Sequence, residues 1–315
     1  QYIPTSVQIS APAAQLSDLS PTEDTGIKIV PGLVWQFAGQ GTLVVGACEA
    51  FFDGDQHFRR TLLECDMVFQ DHFELSMVDL LYPARSAGRV SESTAASLIA
   101  QTQYSQAVIV SVEFALTQMW LARGIAPSVV LGHSLGEYAA AMAAGVLSVS
   151  DGIKLVCTRG RLMQECEDCA GTMVAVRSSA TTIREGIAAA AVGATVGLGA
   201  VNGDDSVVLS GDKDSINSLL AQMPTVASRA LPVTRAFHSP LMQSVVEDFR
   251  STLKLVKFCP AGSTYEYGKL FHAQVSLVST VLGRRTSWED FCSEEYWLAH
   301  MMKTVLFADS VRASN

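Results

Sequence analysis

Ser134 stands in a sequence context that suits nucleophilic catalysis. It is the central residue of a G-x-S-x-G pattern in residues 132–136. A strand is predicted over residues 128–131 and an alanine-rich helix over residues 135–145, and a nucleophile elbow requires this strand–turn–helix context. Such a turn exposes the hydroxyl beside the amide groups and the positive dipole end of the helix N-terminus. The pattern predicts a nucleophilic serine, and a tight turn with an incidental serine is the alternative.

A serine nucleophile needs a base, and His238 is the candidate among the six histidines. His238 follows a small subdomain that is predicted to end near it, and a loop returning there can reach a site on the main sheet. His133 adjoins the serine, but adjacent side chains on a sharp turn point apart, so we expect it to pack or hydrogen-bond. The remaining histidines lack a comparable context: His57, His72, His272 and His300.

The acid that usually orients such a histidine is not evident. Hydrolases of the α/β type carry serine, acid and histidine in that chain order. Four of the acids in that interval fall in predicted loops of the small subdomain, and none of them is a convincing partner for His238: Asp204, Asp205, Asp212 and Asp214. A backbone carbonyl is the alternative partner for His238.

The elements around Ser134 are predicted from periodicity and end signals. Apolar residues recur at every fourth position over residues 101–123, which indicates one long helix. Ser148, with an acid three residues later, resembles a capping box and predicts a helix over about 149–167. A buried strand over residues 32–37 runs into a glycine-containing turn at 38–41, where backbone can approach a ligand closely.

From residue 172 onward short strands alternate with short helices. The order β-α-β-β-α-β is the ferredoxin-like pattern, and its place between α/β halves predicts an inserted subdomain. The predicted division is a linker over 1–27, a catalytic subdomain over 28–171 and 237–315, and a small subdomain over 172–236. Strands are predicted at 173–176, 195–201, 207–209 and 228–233, with helices at 181–191 and 214–222.

Composition excludes several classes of protein. Hydrophobic residues make up 49% of the 315 residues and charged residues 17%, whereas disordered chains are poor in apolar residues. The net charge is −9 with no Lys/Arg-rich run, so nucleic acid is not an expected partner. The apolar residues 187–201 are too few to span a bilayer and no signal peptide is evident, so no membrane role is expected.

Seven cysteines, an odd and modest number, favour a reducing intracellular compartment over a disulfide scaffold. Cys166 and Cys169 form one C-x-x-C without a second pair, and acidic neighbours raise a thiol pKa. We expect a structural or incidental role for this pair, and no metal site. Residues 197–203 have the wrong glycine spacing for a dinucleotide fingerprint. The chain begins with Gln1 rather than Met, which suggests an excised or processed domain.

Further short motifs extend the pattern around Ser134 and His238. Together and in order, they resemble the malonyl-CoA:acyl-carrier-protein transacylase family, most closely the acyltransferase domains of type I polyketide synthases, over about residues 33–312. The motifs are FAGQG (37–41), QTQYSQ (101–106), GHSLGE (132–137), RGRLMQ (159–164), VNG (201–203) with SG (210–211), AFHSPLM (236–242), YW (296–297) and VLFADSV (305–311).

The resemblance implies a fold and a catalytic apparatus. The fold is α/β, an α/β-hydrolase-like large subdomain that carries an inserted ferredoxin-like small subdomain. Ser134 matches the nucleophile and His238 its base. The backbone N–H groups of Gln40 and Leu135 match the oxyanion hole, and a main-chain carbonyl at about Leu306 matches the group that orients the histidine.

The resemblance also implies the substrate contacts. Arg159 matches an arginine that pairs with the free carboxylate of the substrate, which its planar guanidinium suits through bidentate bonds. Helical spacing alone does not distinguish Arg159 from a solvated helix arginine. Gln106 and Asn202 match polar positions near the active site. Phe237 and Leu135 are of the type that goes with malonyl, because the Phe237 ring would crowd an α-methyl group, although one methyl gives only modest discrimination.

Some positions depart from the family pattern. Ala107 stands where proline commonly follows the glutamine, Arg235 where histidine begins its motif, and Thr304 where proline is usual. The stretch over about 259–274 is longer than usual. These departures bear on loop geometry and strict selectivity rather than on the chemistry.

The implied activity is the transfer of a malonyl extender group from CoA to the phosphopantetheine thiol of an acyl carrier protein through a Ser134 acyl-enzyme, in polyketide or fatty-acid synthesis. The expected partners are malonyl-CoA, the carrier protein and neighbouring synthase domains such as a ketosynthase, and no cofactor is expected. A serine hydrolase or editing thioesterase that releases acyl groups to water is the alternative. A non-catalytic docking domain is a third reading, and intact Ser134, His238 and Arg159 argue against it.

Overall fold

The computed structural model describes residues 8–10, 28–258 and 275–315. Most of the predicted linker lies outside the described residues, as does nearly all of the stretch at 259–274 that we expected to be longer than usual. The described chain has the predicted α/β class, with two sheets and helices packed against them.

The described strands and helices are numbered here in chain order. The strands are β1 (Gln8–Ser10), β2 (Lys28–Phe37), β3 (Ile125–Gly132), β4 (Thr172–Val176), β5 (Val196–Gly203), β6 (Ser206–Gly211), β7 (Ser228–Ala230), β8 (Ser276–Ser279) and β9 (Arg284–Thr286). The helices are α1 (Glu49–Gly54), α2 (Gln56–Phe73), α3 (Met77–Leu81), α4 (Glu92–Ile99), α5 (Thr102–Leu121), α6 (Gly136–Ala143), α7 (Val149–Glu165), α8 (Ala180–Ala189), α9 (Lys213–Ala221), α10 (Val246–Leu253), α11 (Trp288–Phe291), α12 (Glu294–Met302) and α13 (Phe307–Ser314). Short 3-10 turns lie at Pro83–Arg85 and Pro240–Val245.

The larger sheet has the strand order β1-β2-β3-β8-β9. Strands β2, β3 and β8 run parallel, and the two edge strands pair antiparallel to them. Strand β3 is largely buried, as expected of a parallel strand whose two faces are both covered. The carboxyl ends of β2 and β3 meet where Phe37 pairs with Gly132. Ligands of open α/β sheets bind at this edge, so it is the expected place for a site.

Helices α2, α5 and α7 pack against one another beside this sheet. Helix α5 is buried over most of its length, which is typical of a core helix that is apolar on all sides. It begins and ends within two residues of the predicted bounds. Helix α7 begins after the predicted cap, since the Ser148 hydroxyl accepts a hydrogen bond from the Asp151 amide at 2.8 Å.

The smaller sheet is antiparallel throughout, with the order β5-β6-β4-β7. With α8 and α9 it follows the predicted β-α-β-β-α-β order. Its helix-covered face has a hydrophobic core of its own, which comprises Val174, Val176, Ile183, Val196, Leu198, Val207, Leu209, Ile216 and Leu219. The other face of the sheet is free to meet the larger body.

One short strand falls inside the range predicted as linker. Residues Gln8–Ser10 pair antiparallel with β2, a pairing that the sequence did not predict. Three residues give too short a window for a period-2 pattern to show, and an edge strand can add by backbone pairing alone.

Two composition-based expectations also bear on the fold. Among the described residues, no helix combines the length and the apolar character needed to cross a bilayer. Cys166 and Cys169 are free thiols, and the Cys169 amide donates to the Cys166 sulfur at 3.2 Å. Burial raises the pKa of the Cys169 thiol, and a raised pKa makes a cysteine less reactive because less thiolate is present.

Candidate active site

The turn from β3 into α6 has the geometry of a nucleophile elbow. Ser134 has a φ of 50°, in the left-handed region that non-glycine residues rarely adopt. A Cβ on Gly132 would lie 2.1 Å from the Glu137 nitrogen, and one on Gly136 would lie 2.4 Å from the Phe37 oxygen. Both glycines are therefore required by the close packing of strand against helix.

The structure brings Ser134 and His238 together. The hydroxyl Oγ of Ser134 lies 2.5 Å from Nε2 of His238. On the other side of the ring, Nδ1 lies 3.0 Å from the backbone oxygen of Lys303. If Nδ1–H donates to this carbonyl, Nε2 has its lone pair directed at the serine hydroxyl. This is the arrangement of a nucleophile with its general base.

The prediction that Leu306 supplies the orienting carbonyl is wrong by three residues. The Leu306 carbonyl precedes α13 and accepts hydrogen bonds from the amide and the hydroxyl of Ser310, at 3.0 and 2.9 Å. The first carbonyls of a helix are committed to the helix in this way. Lys303 ends α12, and its carbonyl is the one that meets His238.

The surroundings of His238 favour its neutral form. Burial lowers its pKa well below the ordinary histidine value, and the nearby Arg159, His300 and His133 act in the same direction. The hydrogen bond to Lys303 acts weakly the other way. A neutral imidazole can accept a proton, so His238 is in the state that a general base requires at neutral pH.

Arg159 is buried beside the same cavity, with 2% of its surface exposed. Its Nη1 donates to the side-chain oxygen of Gln106 at 2.7 Å, and its guanidinium carbon lies 5.7 Å from the Tyr138 ring centroid. Its Nε is buried, and no hydrogen-bond partner for it stands among the described residues. Burial lowers the pKa of Arg159, yet an arginine remains protonated at neutral pH. A buried cation with an unused donor is a strong attractor for an anionic group.

Gln106 lies behind the cavity rather than on its wall. Its carbonyl receives Arg159, while its amide nitrogen lies 3.3 Å from the Gln40 side-chain oxygen. Gln40 in turn lies 3.4 Å from the Thr102 hydroxyl. Gln106 therefore does not line the cavity, and its polar atoms are engaged with Arg159 and Gln40.

The other predicted residues surround one cavity of about 130 Å³. Leu135 opens α6, where amide groups have no intrahelical acceptor. The cavity is lined by Gly39, Gln40, His133, Ser134, Leu135, Arg159, Met173, Gly199, Ala200, Asn202, Val208, Leu231, Val233, Phe237, His238 and Val305. It therefore lies between the carboxyl edge of the large sheet and the helix-free face of the small sheet.

His133 fixes the opposite wall of this cavity. Its Nε2 lies 2.8 Å from the side-chain oxygen of Asn202, so this pair ties the elbow to β5. A Cβ on Gly39 would lie 3.0 Å from the His133 carbonyl oxygen, and only glycine fits there without a shift. The hydrogen-bonding role expected of His133 agrees with this geometry.

Two buried groups beneath the nucleophile were not singled out from the sequence. Nε2 of His300 lies 3.0 Å from the backbone oxygen of Ser134 and 3.1 Å from a carboxylate oxygen of Glu137. The other oxygen of Glu137 accepts the Thr280 amide at 2.7 Å. Both side chains are essentially unexposed. Glu137 could have been found from the sequence, because it is part of the GHSLGE motif. No sequence feature pointed to His300.

A third missed group lies behind the turn at 38–41. Glu113 on α5 accepts a hydrogen bond from the Ala38 amide at 2.6 Å. Burial raises the pKa of this carboxyl to about 8. The segment that carries Gln40 is thus attached to a core helix. The sequence feature that could have indicated this role of Glu113 is an acidic residue within an apolar helical stretch.

Arg235 departs from the family motif and has a structural explanation. Its Nε donates to the Met163 carbonyl at 2.8 Å, and its Nη2 donates to the Gln164 carbonyl. These are among the last carbonyls of α7, which arginines often satisfy. Arg235 therefore holds the end of the helix that carries Arg159. Among the residues the structure describes, no cluster of His, Cys, Asp or Glu is arranged to bind a metal ion.

Comparison with known sequences identifies the family. The acyl transferase domain profile matches residues 34–314. The chain is 31% identical over 305 residues to the PKS-NRPS hybrid synthetase acdB of Aspergillus candidus, covering 95% of this chain and 11% of that protein. It is 37% identical over 282 residues to polyketide synthase GfsB of Streptomyces halstedii, covering 88% and 5%. The chain therefore spans only a small part of these relatives.

Solved structures give the same result. The acyltransferase domain of module 8 of the salinomycin polyketide synthase is 30% identical, with a TM-score of 0.75, covering 89% of this chain and 60% of that chain. The malonyl CoA-acyl carrier protein transacylase of Clostridium perfringens shares the fold at 24% identity, with a TM-score of 0.73, covering 88% and 81%. With a nucleophile elbow, a paired histidine and a matching profile over nearly its whole length, the chain belongs to the acyl transferase domain family found in polyketide synthases.

Proposed function

We propose that this domain moves a malonyl group from CoA to the phosphopantetheine thiol of an acyl carrier protein. The proposal rests chiefly on the 2.5 Å contact between Ser134 Oγ and His238 Nε2, on a cavity whose wall also contains Arg159. A nucleophile with its base suits thioester chemistry, and a buried guanidinium suits an acyl group that ends in a carboxylate.

In the first half-reaction, Ser134 Oγ bonds to the thioester carbonyl carbon while His238 Nε2 takes the hydroxyl proton. The tetrahedral oxyanion is held by the amides of Gln40 and Leu135, and one such donor is worth about 3 kcal/mol. When the intermediate collapses, the carbon–sulfur bond breaks and His238 gives its proton to the CoA sulfur. A malonyl-serine ester and free CoA remain.

The second half-reaction repeats these steps with another thiol. His238 takes the proton of a phosphopantetheine thiol, and the sulfur attacks the ester carbonyl carbon. The carbon–oxygen bond to Ser134 then breaks, and His238 returns the proton to the serine oxygen. The neutral state of His238, which burial favours, supports both deprotonations.

Arg159 is proposed to hold the free carboxylate of the malonyl group. Within the described part of the chain its Nε has no partner and Nη1 is engaged with Gln106, so donors remain for a bidentate contact. Binding a carboxylate would compensate a buried charge that is otherwise costly. An acetyl group lacks this contact, so Arg159 would select malonyl over acetyl.

Phe237 is proposed to favour malonyl over methylmalonyl. Its side chain lines the cavity, where an α-methyl group would compete with the ring for space. A single methyl is worth a modest factor, so this preference is expected to be incomplete. Asn202 contributes to the same wall through its contact with His133.

The proposed partners are inferred from the proteins that match this chain. The matched relatives are long synthases of which this chain spans 5% to 14% among the first three. We infer that the domain works beside a carrier protein and a ketosynthase, and that it needs no cofactor beyond the phosphopantetheine of its partner.

Intact-mass spectrometry after mixing with malonyl-CoA tests the proposal. We expect a covalent malonyl adduct on the wild type and on the exposed-serine control Ser218→Ala, and none on Ser134→Ala. Adding a holo carrier protein should then clear the adduct and load the carrier. Loss of the adduct to water at the same rate without the carrier would instead identify a hydrolase or editing thioesterase.

A further inference from the structure

A second hollow, of about 360 Å³, opens on the small sheet away from Ser134. None of the motifs that identified the family accounts for it. Its walls come from the ends of β4, β6 and β7, and the lining residues include Arg177, Asp205, Ser206, Ser228 and Arg229. It is therefore a hollow of mixed polar and apolar lining, with two arginines, on the rim of the subdomain.

The hollow and the Ser134 cavity share one face of the same sheet. Side chains two positions apart in a strand point to the same face, so Met173, Ala175 and Arg177 form one row. Ala175 pairs with Arg229 on the neighbouring strand, which puts Arg229 and Leu231 in a second row. Met173 and Leu231 line the Ser134 cavity, whereas Ala175, Arg177 and Arg229 line the hollow.

The pairing of the strands continues to the end of the row. The Arg177 amide donates to the Ala227 carbonyl at 2.9 Å, so the backbone stays in register beyond β4. At about 3.3 Å per residue, Arg177 lies about 13 Å along the strand from Met173. Ala175, which has a small and partly exposed side chain, stands between them.

The hollow carries donors suited to a phosphate. Arg177 pairs with Asp205 at 3.4 Å, but the two side chains are 80% and 71% exposed. Such an exposed pair is weak and can exchange for a better anion. Arg229 is also exposed, and the Ser206 hydroxyl adds a further donor. These local charges are notable in a chain with a net charge of −9.

We propose that this hollow binds the 4′-phosphate of a phosphopantetheine arm whose thioester end lies at Ser134. The assignment rests on the proposed function. Arg177 and Arg229 pair with the phosphate, and the pantetheine chain lies along the helix-free face past Ala175. This phosphate is common to CoA and to a carrier protein, so one site serves the donor and the acceptor.

The test compares malonyl thioesters that differ only beyond the pantetheine. Malonyl-pantetheine has no phosphate, malonyl-phosphopantetheine has the 4′-phosphate, and malonyl-CoA adds the nucleotide. Formation of the malonyl-serine adduct gives kcat/KM for each. The variants are Arg177→Ala, Arg229→Ala, the double variant and Asp205→Asn, with Arg184→Ala on the far side of the sheet as the charge-matched control.

For the two phosphorylated thioesters, we expect kcat/KM relative to malonyl-pantetheine to fall about fivefold for each arginine, the upper range for exposed ion pairs. The double variant should show the product of both losses, and Asp205→Asn should change the ratio in the opposite direction. Arg184→Ala should leave the ratio unchanged.

Three results would overturn the assignment. Equal losses for malonyl-pantetheine would mean a structural effect, and a loss confined to malonyl-CoA would assign the arginines to the nucleotide phosphates. An unchanged ratio in the double variant would leave the hollow without a phosphate role. Failure of the wild type to load from any of the three thioesters would instead overturn the proposed function, and this assignment with it.

Discussion

Ser134 and His238 face each other from two left-handed backbone positions, with φ of 50° and 57°. Their side chains meet at 2.5 Å. A non-glycine residue in this region costs about 1–3 kcal/mol, and it persists only where the surrounding structure fixes it. The two strained backbone positions therefore aim the Ser134 and His238 side chains at each other, and they depend on the packing around the elbow.

Gly132→Ala should strongly destabilise the protein. The new Cβ would lie 2.1 Å from the Glu137 nitrogen, and a backbone atom cannot move aside as a flexible side chain can. We expect a loss of about 3 kcal/mol or more in the free energy of unfolding, at the upper end for overpacking. Gly54→Ala is the control, because nothing lies within 4 Å of its Cβ position. Urea unfolding checks both, and similar losses would contradict the steric explanation.

The acylation rate should stay high below the ordinary pKa of histidine. Burial keeps the His238 pKa well below 6.5, so the neutral base persists as the pH falls through that value. A single-turnover pH profile of malonyl-serine formation should therefore have its acidic midpoint below 6.5. A midpoint at or above that value would show that the base is solvated or is a different group.

The same group makes folding sensitive to acid. The folded pKa of His238 is depressed, so the unfolded chain binds the proton first, and stability falls as the pH drops below about 6.5. Replacing His238 with Gln should flatten this part of the curve of unfolding free energy against pH. Urea unfolding between pH 5 and 8 measures it, and identical curves would exclude His238 as the source.

Arg159→Ala should impair malonyl loading far more than acetyl loading. The loss of two charge-assisted hydrogen bonds to a carboxylate corresponds to about a hundredfold or more in kcat/KM. Arg159→Lys should recover little of it, since lysine cannot make the bidentate contact. Arg161→Ala on the same helix is the matched control. The rate of adduct formation from malonyl-CoA and from acetyl-CoA provides the comparison. Equal losses of kcat/KM for the two substrates would contradict the proposed contact between Arg159 and the malonyl carboxylate.

The residues that line this site could be predicted from the sequence better than the hydrogen bonds that hold those residues in place. The elbow was predictable because Gly132, Ser134 and Gly136 are close in the chain and their chemistry is local. His238 was predictable as a base only because a subdomain boundary placed it near the main sheet. The carbonyl that orients it was assigned to Leu306 instead of Lys303, since which carbonyl is left free depends on where α12 ends and α13 begins.

Glu113 and His300 escaped prediction for a different reason. Each acts on a backbone group far away in the chain, at Ala38 and Ser134 respectively. Hydrogen bonds between a buried side chain and a distant backbone leave no spacing pattern in the sequence. A buried polar residue in an apolar helix is the only sign they give, and most such residues have purely structural partners.

Glu113→Gln should change how stability depends on pH. Burial raises the folded pKa of Glu113 to about 8 from 4.5, so its contribution is full below 4.5 and is lost as the pH rises through 8. Glutamine can still accept the Ala38 amide, but it does not titrate. The difference in unfolding free energy between wild type and variant should therefore fall between pH 5 and 8, by up to about 1.4 kcal/mol per pH unit.

Glu113→Leu provides the contrast for that prediction, because it removes the acceptor as well as the titration. We expect it to slow malonyl-serine formation through a looser turn at Gln40, whereas Glu113→Gln keeps most of the rate. Equal rates for the two variants would show that the Ala38 contact does not position the turn.

His300→Leu should slow acylation without weakening substrate binding. The ring donates to the Ser134 carbonyl at 3.0 Å and so holds the strained elbow from behind, while Arg159 and its carboxylate site are untouched. A displacement of about 1 Å at a reacting atom costs about a hundredfold in rate, so we expect kcat to fall by that order with KM nearly unchanged. His300→Gln offers an amide donor in a similar position and should restore most of kcat. If both variants lose thermal stability and have the same kcat, His300 only fills the core. A residue that only fills the core does not need a donor aimed at the Ser134 carbonyl, so glutamine would then recover no more activity than leucine.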